Sequence, residues 1–411
     1  MRRITSAALI GYSLLVLVTS LRGEDLNWSQ WRGPLSDGHA VAAGAPLTWS
    51  AANILWKTPL KGDGQSSPTL WGNRIFLTTA LDGGKQRVVF CVDAHDGRVL
   101  WEQVAWTGEP EKSHVMNGWA SATCATDGEV VVAFFGKGGL HAYSVEGEHL
   151  WSRDLGVFES PWGTAACPII VGQLVIQNGD SDRNAFIEAF DRRTGKSVWR
   201  QKRPDNRGWS SPILQNHGGR ELLILNGHAG VTAYDPASGE QIWFTKNSNG
   251  RGEPTVAPGA GYLYVVCGLA GDMVALRLTG SGSQPEVAWT AARRSGRDLP
   301  SPIQVGNVVI VNSMGGIASC YDSQTGQELW KDRLEGKFSS SPIVIDNHVL
   351  HQSETGETFV IQPGPKLNIV ARNILPAETG ELFRASLTPT KGRVYSRSNK
   401  YLYCIGTQPN S

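Results

Sequence analysis

One ten-residue stretch constrains this chain more than any other, because it recurs. Phe190–Trp199 reads Phe-Asp-Arg-Arg-Thr-Gly-Lys-Ser-Val-Trp, and the spacing Asp, three residues, Gly, three residues, Trp appears intact four times. The copies are Asp93/Gly97/Trp101, Asp191/Gly195/Trp199, Asp235/Gly239/Trp243 and Asp322/Gly326/Trp330. A fifth, one residue shorter, runs Ser144/Gly147/Trp151. Each copy predicts a hairpin. An apolar strand ends at an Asp whose side chain bonds its own turn, and Gly takes the φ > 0 position. The next strand then carries Trp into a buried seam. Trp56, Trp101, Trp151, Trp199, Trp243, Trp289 and Trp330 are spaced 41 to 50 residues apart. Several short strands per unit at that period mark a β-propeller.

Seven complete units follow one another over 66–103, 119–155, 163–202, 210–246, 253–292, 300–334 and 339–374. Each opens with small residues, continues in alternating Val/Ile/Leu, and closes with the Gly turn and Trp. The fifth carries a Gly/Ser-rich turn over 279–284, and the seventh has Val370 where Trp is expected. The last unit, 385–407, supplies three strands and stops, while residues 53–60 supply a lone outer strand around Trp56. Joined, the two ends make an eighth blade and remove two open sheet edges. The expected fold is therefore all-β: one eight-bladed propeller of four-stranded antiparallel blades over 53–411. The preceding segment, 24–52, has many turn formers and is expected to run over the surface with Trp28 and Trp31 packed beneath it.

Residues 1–23 read as a signal peptide. Arg2-Arg3 precede an apolar core over Ala7–Val18 that is too short for a stable membrane span, so a periplasmic or secreted protein is expected. Lys and Arg number 38 against 37 Asp and Glu, without a basic stripe, which argues against nucleic acid as a partner. A monomer is expected. Cys91, Cys124, Cys167, Cys267, Cys320 and Cys404 are scattered, with no Cys-x-x-Cys, and read as buried free thiols. The histidines show no ligand spacing, and Asn178–Asn184 lacks most of a calcium loop, so no metal site is expected.

Repeated Ser-Ser-Pro strand openings (Ser66-Ser67-Pro68, Ser210-Ser211-Pro212, Ser340-Ser341-Pro342) read as packing where inner strands converge, not as nucleophiles. A site belongs on the face opposite the Asp-Gly-Trp turns, where equivalent loops differ. Trp119, Trp162, Trp209, Phe338 and Phe383 stand immediately before inner strands there. His114, Asn117, Glu159, Arg207, Arg251, Arg297, Asp298 and Lys337 flank them. Of these, Trp119, Trp162, Trp209, Arg251, Arg297, Lys337 and Phe338 form the candidate mouth of a central channel. An aromatic ring with cations suits a planar anion or a peptide. A plug of core aromatics with a solvated charged rim is the alternative. No catalytic residue is assigned.

The hairpins Ala189–Trp199 and Ala233–Trp243 resemble the tryptophan-docking motif of pyrroloquinoline-quinone (PQQ)-like propeller repeats. Trp31-Arg32-Gly33-Pro34, Leu55-Trp56-Lys57 and Ser66-Ser67-Pro68 resemble exported members of that group. The resemblance implies two branches. The quinoprotein dehydrogenases use PQQ, calcium, an Asp base and a vicinal disulfide. The outer-membrane-assembly propeller is a protein-binding scaffold. This chain has no adjacent Cys pair and no Cys-x-x-Cys-His. The expectation is an exported scaffold that binds a protein or small ligand without catalysis and without a cofactor. The alternative is a PQQ-dependent dehydrogenase of alcohols or sugars with a divergent site.

Overall fold

A computed structural model describes residues 27–40, 44–246, 251–269, 271–294 and 296–407; the expected signal peptide lies outside the described residues. Its strands fall into eight four-stranded sheets, each antiparallel and, in seven cases, consecutive in sequence. These blades, I to VII, begin with inner strands Thr69–Trp71, Ala125–Thr126, Ile169–Val171, Ile213–His217, Ala257–Gly259, Ile303–Val305 and Ile343–Ile345. Blade VIII takes Thr388–Thr390, Arg393–Arg397 and Tyr401–Gly406 from the C-terminal end and Ile54–Pro59 from the N-terminal end. Trp56 lies opposite Cys404 in that pairing, so the ring is closed by strand hydrogen bonds. Buried Arg397 adds a second link: Nη1 donates to the Ser66 carbonyl at 2.9 Å and Nη2 to the Thr78 carbonyl at 2.8 Å, joining blade VIII to blade I.

The repeated turn shows why its residues are required. Asp191 Oδ1 accepts from the N–H and the hydroxyl of Thr194, at 2.8 and 2.7 Å. Those bonds, the hydroxyl's foremost, hold its carboxyl below the usual value. Gly195 has φ of 64°, and its missing side chain matters as much as its φ. A Cβ there would lie 2.5 Å from Cδ2 of Trp151, the tryptophan of the preceding blade. Gly97 meets Trp56 in the same way, Gly147 meets Trp101, Gly239 meets Trp199 and Gly326 meets Trp289. The indole N–H then donates to a carbonyl of the same turn: Trp101 to Val145, Trp151 to Arg192, Trp199 to Pro236, Trp289 to Ser323 and Trp330 to Gly364. Five docking tryptophans thus bond one blade to the next, while Trp56 packs on Gly97 with its Nε1 buried and unpartnered. Blade V has a Gly/Ser-rich turn over 279–284 in place of the Asp-Gly-Trp turn, and Trp243 Nε1 is also buried without a partner.

A second set of bonds links the blades at the axis. The innermost strand of a blade has a free edge, and its N–H groups need acceptors. Each blade supplies one from the residue two or so before its inner strand. Ser67 N–H donates to Thr123 Oγ1 at 2.8 Å, Thr123 to Cys167 Sγ at 3.2 Å, Cys167 to Ser211 Oγ at 2.9 Å and Ser211 to Thr255 Oγ1 at 3.0 Å. Thr255 donates to Ser301 Oγ at 3.0 Å, Ser301 to Ser341, Ser341 to Ser386 and Ser386 back to Ser67, the last three at 2.9 Å. The ring is closed. The Ser-Ser-Pro openings are therefore hydrogen-bonding elements, with Thr and Cys serving equally.

Residues 28–40 do not simply run over the surface. Trp28 pairs with Leu70 of blade I, and Thr126 N–H of blade II donates to the Ser29 carbonyl. Arg32 Nη2 then reaches the Pro302 carbonyl at 3.0 Å, and Ala40 and Val344 of blade VII bond through their backbones. Blade II lies across the ring from blade VI, so this segment spans the axis. It does so at the end of the inner strands remote from the hydrogen-bonded ring. Buried Arg32 is held there with its guanidinium pushed down to about 10 by desolvation.

All six cysteines are buried free thiols. Burial pushes the Cys124 thiol up to about 12, the response of an inert core residue.

Candidate functional site: a blind axial cavity

A cavity of about 210 Å³ lies on the axis. All eight members of the hydrogen-bonded ring line it, and Trp31 reaches it from the spanning segment. It opens toward the face opposite the Asp-Gly-Trp turns. His114, Met116, Trp162, Trp209, Arg297 and Arg384 stand around that opening.

The aromatic side is built from loops between blades. Trp162 packs against His114 with ring centroids 4.7 Å apart. The guanidinium carbons of Arg251 and Arg297 both lie 5.9 Å from the Trp162 ring, a cation–π arrangement from the loops before and after blade V. Trp209 donates its indole N–H to the Gly163 carbonyl at 2.8 Å, which fixes the ring at the edge of the cavity. Asn117 Nδ2 braces the same loop through the Trp162 and Thr164 carbonyls at 2.8 and 3.2 Å.

The charged side is largely self-neutralised. Arg297 pairs with the buried carboxylate of Glu253, whose proton affinity is raised by desolvation against the opposing pull of Arg297. Arg384 Nε lies 3.4 Å from Glu354 Oε1, and its Nη1 donates to the Val115 carbonyl at 3.3 Å. Asp298 is buried and paired with Arg293. Arg207 and Asp182 pair through two contacts of 2.8 and 2.6 Å, and Asp180 pairs with buried Arg203. The Asn178–Asn184 stretch therefore spends its carboxylates on arginines. Among the described residues no group of three or more His, Cys, Asp or Glu is placed to hold a metal ion.

The residues expected at the mouth are thus only partly brought together. Trp162, Trp209 and Arg297 line the cavity, and Arg251 stands against Trp162. Trp119 is displaced to blade I, where it covers Gly84 and lies 5.6 Å from the buried guanidinium of Arg87, with its N–H on the Glu111 carbonyl. Phe338 is wholly buried, 4.6 Å from the His351 ring and 5.9 Å from Phe359, so it is core between blades rather than lining. Phe383 is likewise buried, beneath Gly356 and beside Tyr403. Lys337 is exposed and does not line the cavity. Being next to an inner strand does not decide which side of the loop a ring takes, and for these phenylalanines the space between blades wins. Arg384, Glu253 and Trp31 went unnoticed as lining residues, because nothing in their local sequence separates them from ordinary rim charges and surface aromatics.

A family model described as outer membrane protein assembly factor BamB matches residues 24–179, 183–304 and 281–363. The chain belongs to that family. The BamB of Yersinia pestis is 23% identical over 289 residues, 67% of each chain. The crystal structure of BamB from Moraxella catarrhalis superposes with a TM-score of 0.64 at 17% identity, covering 87% of this chain and 98% of that one. The quinohemoprotein alcohol dehydrogenase of Comamonas testosteroni reaches 0.65 at 12% identity, covering 94% of this chain and 82% of that one. Both structural likenesses are likenesses of fold. This BamB-family chain is a PQQ-like propeller of the quinoprotein superfamily. No helix among its described residues is long and apolar enough to cross a membrane.

Proposed function

We propose that this BamB-family propeller is an exported, non-catalytic scaffold that holds a protein partner on the face opposite the Asp-Gly-Trp turns. The observation that carries the reading is the state of the functional groups at the cavity. The lining carboxylate, Glu253, is ion-paired to Arg297 through one oxygen, and the ring hydroxyls each accept a backbone N–H rather than bonding to Glu253. No nucleophile hydrogen-bonded to a base results. The same face does offer contact groups: Val115 is 82% exposed and Val157 67% exposed, beside Met116, Trp162 and Trp209. Exposed apolar groups beside aromatic anchors and arginines are the usual makings of a protein contact. The family name, outer membrane protein assembly factor, accords with a periplasmic location and a protein partner.

The quinoprotein reading, favoured by the fold alone, makes a different demand. Calcium takes about six to eight oxygen ligands, including several carboxylates. Here Glu253 is a single, arginine-paired carboxylate in the cavity lining, so the residues present do not fit PQQ with calcium.

Photo-crosslinking in cells tests the proposal. A crosslinking residue at Val115 or Val157 is expected to give discrete protein adducts, and one at exposed Arg193 on the opposite face none. Adducts from position 193 alone, or from none of the three, would overturn it. Saturable tryptophan quenching by PQQ with calcium at one equivalent would move the chain to the quinoprotein branch.

A further inference from the structure

The axial ring leaves a chemical residue that its structural role does not consume. Ser67, Thr123, Ser211, Ser301, Ser341 and Ser386 each accept one backbone N–H. Each side chain is more than nine-tenths buried and lines the cavity. A hydroxyl also carries a proton to donate. Thr255 turns its proton to the Ser211 carbonyl at 3.3 Å, and the Cys167 thiol lies 3.6 Å from the Ala165 carbonyl. The Thr123 and Ser211 hydroxyls bond to the Cys167 sulfur, and among the described residues the other four, on Ser67, Ser301, Ser341 and Ser386, donate to no protein acceptor. Buried donors are ordinarily satisfied by protein or water, so the ring offers these protons to whatever acceptor enters along the axis.

The groups above the ring set the sign of that acceptor. Arg384, held by Glu354 outside the lining, and Arg297 both face the cavity, and Arg297 Nε is buried without a partner. The lining carboxylate, Glu253, gives Oε1 to Arg297 and keeps Oε2 buried without a partner, one open acceptor against two guanidinium groups. His114 adds a ring nitrogen at the rim. A cation entering here meets hydroxyl protons and guanidinium groups. A carboxylate meets the reverse: two acceptor-only oxygens with room for about four hydrogen bonds, and a guanidinium able to bind it as a fork.

We propose that the axial cavity is a carboxylate-binding site, in which the carboxylate rests on the ring hydroxyls under Arg384 and Arg297 while its apolar remainder lies against Trp162 and Trp209. Trp31 closes the far end, so the carboxylate enters head first from the loop face. Two sources share this chemistry: a small aliphatic acid and the free carboxyl terminus of a peptide. The site lies beneath the rim, and it stands or falls separately from the scaffold reading.

Calorimetric titration of the full mature chain tests it. Hexanoate is expected to bind at one per chain, and hexanamide, the same shape without the charge, at least about tenfold more weakly. Arg384→Gln should weaken hexanoate by about tenfold. If that variant fails to fold, the double variant Arg297→Gln/Glu253→Gln, which leaves no unpaired charge, serves in its place. Tetra-alanine with a free terminus, and not its amidated form, binding as hexanoate does would assign the source to a chain end. Hexanoate binding with both peptides silent would assign it to a small acid. Equal affinity for hexanoate and hexanamide, no saturable heat at millimolar hexanoate, or a folded variant with unaltered affinity would each overturn the proposal.

Discussion

The backbone N–H of Ser386 donates to Ser67 Oγ at 2.9 Å, across 319 residues of sequence. That bond closes the ring of eight, and it does at the axis what the pairing of Ile54–Pro59 with Tyr401–Gly406 does at the rim. Ser67→Ala should leave a buried N–H without a partner and destabilise the fold by about 1–3 kcal/mol. Ser67→Thr should cost much less, because Thr123 and Thr255 already serve in equivalent places. Urea unfolding of the two variants checks the difference; equal losses would show that the ring bond contributes nothing beyond side-chain volume.

The docking turns give a sharper contrast. Gly195 and Gly172 both have positive φ, 64° and 55°, but a Cβ at 195 meets Trp151 at 2.5 Å and one at 172 meets nothing within 4 Å. Gly172→Ala should show only the left-handed backbone cost, about 1 kcal/mol. Gly195→Ala adds displacement of a buried indole, and overpacking of that kind costs about 1–3 kcal/mol more. Chemical denaturation midpoints distinguish the two.

These positions also show what the sequence makes legible. The Gly-to-Trp spacing announces itself because the demand is absolute: the indole of one blade leaves no room for a Cβ in the next, so the same two residue types recur. The eight blades and the closure through Trp56 follow from that spacing alone. The ring was only half visible. Its requirement is an acceptor atom one bond beyond Cβ, which Ser, Thr and Cys167 all meet, so the eight positions never align as one letter. The mouth was least legible. Trp162 and Phe338 look equivalent in sequence, yet one faces the cavity and the other packs on His351. Only the three-dimensional course of each loop separates them.

His351 makes the stability of this fold depend on acidity. It is buried, its Nε2 2.9 Å from the Ser340 carbonyl and its Nδ1 3.3 Å from Asn312 Nδ2, and desolvation pushes it down to about 4. The Nε2–H tautomer fits both partners, donating to the carbonyl and accepting from the amide. An unfolded histidine titrates near 6.5, so between about 6.5 and 4 the unfolded state binds the extra proton. Stability should therefore be unaffected by this group above pH 6.5 and fall as pH drops through that window, with a slope of up to about 1.4 kcal/mol per unit. Below about 4 the contribution levels off. His351→Gln, which keeps a donor and an acceptor, should flatten the slope between pH 4 and 6.5; a slope unchanged in that variant would assign it to other groups.

Trp243 and Trp199 separate the two components of docking. Both are buried, but Trp199 donates its N–H to the Pro236 carbonyl at 3.0 Å, whereas Trp243 faces the irregular fifth blade with its Nε1 unpartnered. Replacing either by Phe removes similar apolar contact, and only at 199 does it also orphan a turn carbonyl. A net hydrogen bond contributes about 1 kcal/mol, and a buried unpaired N–H is itself a cost that Phe at 243 would relieve. Trp199→Phe should accordingly be more destabilising than Trp243→Phe by about 1–2 kcal/mol in urea unfolding. If the two lose equally, the indole bonds repeated from blade to blade add little, and the docking is carried by packing against the glycine turns.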